Sequence, residues 1–271
     1  MSEPTPDPPP KRRNRISISR QRLVEFTVVV LGVLVALGLE NLVQEARYRA
    51  DARDLERALA SDIADTLFFA MERQAVASCI SEKLAAFSQH MDDAGEGPLV
   101  PVRPTEGLGP LDYATPQAYR TPSRNWDTSA YERAIAHESY KRIPAETARV
   151  YRLFYGQVNK QDNLNRDEFI AITNLAPLIG GPSIIGEEVR ADLRRDLSYL
   201  DRHNTLMASV SQQLMEVAPE IPFVIEEVRQ RLRADPESIA RTRATATAAY
   251  GDCVDFTAAD QLLTDIGASK S

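Results

Sequence analysis

Residues 26–39 read FTVVVLGVLVALGL, fourteen positions without a charge, and Leu23, Val24, Leu42 and Val43 extend the apolar character on both sides, with Glu25 and Glu40 marking its ends. No other stretch restricts the possible folds as much. At 1.5 Å per helical residue, fourteen residues cover about 21 Å, short of a hydrocarbon core of ~30 Å, whereas 23–43 covers about 30 Å. The two glutamates then fall near the interfaces, where carboxylates are tolerated far better than at the bilayer centre. A buried core helix or a valine-rich strand is the soluble alternative. A strand of this length is unusual, however, and a helix apolar on every side needs lipid or a large protein around it. We therefore expect a transmembrane helix over 23–43.

What precedes the run sets its orientation. Lys11, Arg12, Arg13, Arg15, Arg20 and Arg22 have no acidic residue among them, and before them MSEPTPDPPP has five prolines in ten positions. So few apolar side chains cannot offset the entropy of ordering, so 1–22 is expected to be a disordered basic tail. The basic excess orients the N-terminus to the cytoplasm. In a bacterium the remainder, 44–271, then lies beyond the inner membrane, in the periplasm. A cleaved signal peptide is the competing reading, with Ala36, Leu37 and Gly38 as the cleavage site. Against it, the helical pattern runs on through ENLVQEARYRADARDLERAL with no proline or glycine, as an uncleaved anchor entering a stem does.

Composition narrows the partners. The chain has 271 residues, 43% hydrophobic and 26% charged, which excludes collagen-like, fully disordered and multi-span classes. Lys and Arg number 32 against 39 Asp and Glu, and six of the basic residues lie in the first 22 positions. The body is thus strongly acidic, which argues against nucleic acid, whose phosphates need a concentrated basic face. Cys79 and Cys253 are the two cysteines, and neither has the spacing of a zinc site. In an oxidising compartment two lone cysteines tend to pair, so a disulfide between them is expected, the alternative being two buried free thiols.

The body reads as helix almost throughout. Leu59, Ile63, Leu67, Met71, Val76, Ile80, Leu84 and Phe87 recur at steps that hold one stripe of a helix. Ten glycines and prolines then crowd residues 93–124, which makes that segment a Gly/Pro-rich loop. Ser129 and Glu132 have capping-box spacing, and Pro144 suits a helix start. Val150, Tyr151, Phe154, Tyr155 and Val158 give the next stripe. After a turn at PLIGGPSIIG, with Ser183 as expected N-cap, another runs through Val189, Leu193, Leu197, Leu200, Asn204, Met207, Val210, Leu214 and Val217. Shorter helices follow, one carrying Val224 and Val228, one after Asp235 and Pro236, and one with Leu262, Leu263 and Ile266. Nothing alternates with period two long enough for a sheet. The expected fold is all-α: a transmembrane helix continuing into a long stem helix, then an antiparallel helical bundle.

Catalytic and metal signatures are weak. His137 and Glu138 begin like a zincin motif, but Lys141 stands where the second histidine belongs, and neither His90 nor His203 follows a glutamate at di-iron spacing. The GPSIIG at 181–186 has one residue too many for a nucleophile elbow and no strand before it. Asn163, Asn165 and Asp167 imitate calcium positions, yet Glu168 stands where the loop needs glycine. Trp126, Tyr131, Tyr140, Tyr151, Phe154 and Tyr155 are better core than pocket at helical spacing. Gly32 and Ala36 form a small-xxx-small pair that permits close approach of two spans, hence an expected homo-oligomer contact. No enzyme, cofactor or metal is expected.

The segment LVEFTVVVLGVLVALGLENLVQEARYRADARDLERALASDI resembles the start of a family of uncharacterised bacterial single-span membrane proteins with a short N-terminal transmembrane helix and an all-helical extracytoplasmic domain. Asn125, Trp126, Asp127 and Thr128, and later Tyr151 to Tyr155, resemble that family's tryptophan element and tyrosine-bearing helix. The chain departs from it at Tyr131 and Glu132, where the family has a serine-glycine pair. The resemblance implies topology and carries no catalytic assignment. Two functions are compatible: a membrane-tethered, non-enzymatic interaction or assembly module of the bacterial envelope, with the lipid bilayer and an envelope protein as partners, or a ligand-binding, sensor-like bundle acting with a separate transducer. A closed apolar interior favours the first, and a polar-lined pocket between helices the second.

Overall fold

The computed structural model of the chain describes residues 20–95, 97, 99, 102, 118–179 and 185–267, with side chains from residue 23 onward. The expected disordered tail before Arg20, most of the Gly/Pro-rich loop and the expected cap Ser183 lie outside the described residues. Among the described residues there are helices and turns and no strand. The long helices are α1 (Arg20–Asp93), α3 (Ala145–Asn174) and α5 (Glu187–Val217); the short ones are α2 (Ser129–Ala136), α4 (Ala176–Ile179), α6 (Val224–Ala234), α7 (Ser238–Tyr250) and α8 (Thr257–Asp265).

The chain divides into two units, 1–50 and 51–271. In the first unit the large apolar side chains from Leu23 to Val43 are 39% to 68% exposed. This segment of α1 has the length and hydropathy to cross a membrane, and none of its apolar window is buried.

The second unit is the helical body, and its core is split in two. One apolar cluster joins Leu59, Ile63 and Leu67 of α1 to Tyr151, Phe154 and Val158 of α3 and to Met207, Val210 and Leu214 of α5. The other joins Val76, Ile80 and Leu84 to Ala171 and Ile172 and to Leu193, Leu197 and Leu200. The stripes expected on α1 and α3 are thus the buried faces, each full Leu or Phe contributing about 1.5–3 kcal/mol. Between the clusters, Arg73, Glu168 and Asn204 put a polar side chain at one level of all three helices.

Three local expectations are corrected. Val189 is 40% exposed, and its neighbour Arg190 is buried instead. Its guanidinium donates to the carbonyls of Ile185, Gly95 and Gly97, satisfying backbone acceptors where the chain leaves α1 and enters α5. Gly186 occupies the N-cap of α5, with Glu187 and Glu188 favourably placed against the helix dipole in the first turn. Ser129 is not a capping-box serine: Thr128 stands at the cap, its hydroxyl donating to Glu132 Oε1 at 2.8 Å, while Asp127 accepts from the Ser129 N–H and hydroxyl at 2.8 and 2.7 Å. A carboxylate outcompetes a hydroxyl for those donors. Those bonds also hold the Asp127 carboxyl below its usual range.

Candidate functional site

Arg73 and Glu168 are each 1% exposed, and a charge that deep needs its full complement of partners. Arg73 Nη1 and Nη2 donate to Glu168 Oε2 and Oε1 at 3.0 and 2.9 Å, a bidentate pairing. Nη1 also donates to Thr121 Oγ1 at 2.7 Å, and Thr121 in turn donates to Glu168 Oε2 at 2.8 Å. Asn204 Oδ1 accepts from Nη2 at 2.9 Å, while its amide donates to Ala77 O and Ser81 Oγ at 2.8 and 3.0 Å. The layer thus ties α1, α3, α5 and the segment after residue 117 into one register. Arg73 Nε and Tyr119 Oη, both buried, have no hydrogen-bond partner among the described residues. Burial first, and then the Glu168 charge, push the Tyr119 hydroxyl far above its usual pKa. These charges are consumed by one another, which makes the layer a positioning device.

The residues expected to carry function are distributed as follows. Cys79 and Cys253 are joined by a disulfide with Cα atoms 5.1 Å apart. The tie is continued by Ser78 Oγ donating to Cys253 O at 2.7 Å and by the Asp255 N–H donating to Ala75 O at 2.8 Å. Gly32 and Ala36 are exposed on α1, and a Cβ built on Gly32 meets no atom within 4 Å. The aromatic middle is core: Trp126 is buried, the Tyr131 and Tyr155 rings stack at 4.4 Å, and Tyr155 Oη donates to Asp62 Oδ2 at 2.7 Å. Burial raises the Asp62 carboxyl above its ordinary pKa, partly offset by that bond. His137 Nδ1 accepts from the Ser139 N–H, and the His203 ring meets the Leu164 carbonyl at 3.1 Å. Asn163 and Asp167 are exposed on α3, while Glu168 beside them belongs to the buried layer.

What the sequence did not disclose is a pair of cavities flanking α7. One, about 400 Å³, is bounded by α1, α6, α7 and α8 and is mainly apolar. The other, about 510 Å³, lies between α7 and the segment around residues 120–124 and is lined by arginines and hydroxyls. They share Glu72, Arg124, Ser238, Thr242 and Ala246. Arg124 donates to both Glu72 oxygens at 2.6 and 2.9 Å and lays its guanidinium over the Phe69 ring, 5.5 Å from its centre. On the far side, Arg243 pairs with Asp260 and covers the Phe256 ring at 4.8 Å. The partition, α7, reads SIARTRATATAAY and buries one residue, Ala246. Its alanines and threonines are the signal that sequence reading passed over: such small side chains cannot fill the space beneath the helix. Comparison with protein-family models, curated proteins and solved structures gives no match to this chain.

Proposed function

We propose that the chain is a single-span protein of the bacterial inner membrane, with its N-terminus in the cytoplasm and its helical body in the periplasm, and that the body is a non-enzymatic interaction module related to the single-span family it resembles. The observation that carries this reading is the wholly exposed apolar segment of α1, directly after six basic residues. Water would not tolerate so large an unbroken apolar surface, and lipid would. The body is read as a bundle in which α5 runs antiparallel to α1 and α3, which are parallel to each other: Tyr155 and Glu168 of α3 bond Asp62 and Arg73 of α1 in ascending order, whereas Gln161 and Leu164 bond Ser211 and His203 of α5 in descending order. The non-enzymatic reading is supported by the most deeply buried charges, which are spent on one another. Cross-linking and co-purification of the full chain from solubilised membranes should recover an envelope protein or a second copy at fixed stoichiometry; recovery of the chain alone would overturn it.

The cavities beside α7 favour the second reading, a ligand-binding bundle that reports to a separate transducer. A polar-lined groove continuous at five residues with an apolar cavity is the arrangement of a small-molecule site.

A further inference from the structure

We infer that the apolar cavity beside α7 is a preformed site for an uncharged lipophile, a hydrocarbon-rich molecule with a single hydroxyl or none. The inference rests on the ligand-binding reading and names its ligand class. At about 400 Å³ the cavity falls in the range small ligands occupy, roughly 300–1,000 Å³. Phe68 and Phe69 of α1, Leu232 of α6, Ile239 of α7, Phe256 at the cap of α8 and Leu263 within that helix present hydrocarbon to it. A partner helix, about 10 Å across with its side chains, does not fit such a volume. Water in a space walled this way finds few hydrogen-bonding partners, so a hydrocarbon that displaces it gains free energy.

The walls are fixed before any ligand arrives. Phe68, Phe69, Leu232 and Ile239 pack against the first apolar cluster, and Leu263 is part of it. At its other end α7 sets Tyr250 against the second cluster. Just beyond, the disulfide from Cys253 to Cys79 ties the chain back to α1. α7 is therefore an anchored wall, and a site that needs no ordering on binding loses little conformational entropy when it fills.

The rim decides the charge of the ligand. Glu72, Arg124, Arg231, Asp235 and Arg243 border the cavity. Arg124 holds both Glu72 oxygens, Arg231 pairs with Asp65 and Glu227, Asp235 with Arg241, and Arg243 with Asp260. The guanidinium faces of Arg124 and Arg243 lie over the Phe69 and Phe256 rings. The adjoining groove offers no spare cation, since Arg241 also meets Glu237 and Arg120 is engaged. A head group of either sign would have to break one of these pairs and strand its other member, whereas an uncharged ligand leaves them all intact. The Thr242 hydroxyl borders the cavity without a hydrogen-bond partner among the described residues, and it suits a ligand's single hydroxyl.

Three photoreactive probes of equal length test this: dodecanol, dodecanoate and dodecyltrimethylammonium, each carrying a diazirine at mid-chain. They are cross-linked to the full-length protein in phosphatidylcholine nanodiscs, and the label is mapped by peptide mass spectrometry. Label within 23–43 reports partition into the bilayer and is the internal reference. The dodecanol probe should also label the peptides holding Phe69, Leu232 and Phe256, saturably and at about tenfold lower concentration than either charged probe. Thr242→Phe, at an exposed position that lines the cavity, should abolish the cavity label and keep the reference label, as should Ala259→Leu from another wall. If no probe labels those peptides saturably, the site and the ligand-binding reading both fall. If a charged probe labels them as tightly as dodecanol, and Thr242→Phe abolishes that label, the ligand-binding reading stands and the uncharged class is overturned. Cavity label that survives both substitutions overturns the site.

Discussion

Arg73 brings a permanent charge to a place where water does not reach, and two carboxylate oxygens, a hydroxyl and an amide meet it there. A buried pair of this kind adds little net stability against an apolar replacement, because desolvation offsets attraction, but removing one partner strands the other. Arg73→Met should therefore cost about 3–5 kcal/mol in denaturant unfolding, and the double variant Arg73→Met, Glu168→Met should recover most of that loss. Asp62 gives a pH signature of distinct sign. Its folded pKa is raised by burial, so its ionisation opposes folding: the cost is absent below the unfolded value, about 3.9, and stability falls as pH rises through the folded value. Asp127 and Asp255, held low by bonds from Ser129 and Thr257, act oppositely, their stabilisation being lost as pH falls through their depressed values. Unfolding measured from pH 3 upward should show the Asp62 decline, and Asp62→Asn should flatten it. The pairings of Arg73 and Asp62 do not follow from residue spacing, since a charge on a helix face is ordinarily solvated. Asn204 interrupts the α5 stripe and was the one visible sign of a polar layer.

Among the elements, the helices with strong apolar periodicity were the legible ones. The stripe from Leu59 to Phe87 of α1, and that from Val150 to Val158 of α3, lie on the core. At α7 the periodicity argument had nothing to act on, because the helix covers a cavity and has no apolar stripe. Caps fall at Thr128 and Gly186, and at the first of these the Asp127 carboxylate takes the Ser129 amide. The pairing of Cys79 and Cys253 was argued from compartment, and its test is chemical. Mass spectrometry of protein from its native compartment should show no alkylatable thiol before reduction. Reduction should cost up to about 5 kcal/mol in the chain-entropy model for a separation of 174 residues. In the apolar segment, Gly32 and Ala36 leave an open face on α1. If two spans meet there, replacing both with isoleucine should lower the oligomer mass in detergent, and an unchanged mass would remove that contact.

For the whole molecule, the uneven distribution of charge and apolar surface matters most. Six basic residues precede the exposed apolar helix, and a net-acidic helical body follows it. This large-scale pattern was fully visible in the sequence, because membrane insertion depends on local runs of apolar and basic residues and needs no long-range packing. The internal architecture of the body was less accessible, since the polar layer and the cavities are set by contacts between residues far apart in the chain, 48 positions for Arg73 and Thr121 and 95 for Arg73 and Glu168. Carbonate extraction combined with protease access tests the central claim. Full-length protein should stay in the carbonate pellet. Protease added to spheroplasts should digest the body while an epitope on the N-terminal tail stays protected. Recovery of the intact chain in the carbonate supernatant, or digestion of the tail with the body protected, would contradict the account.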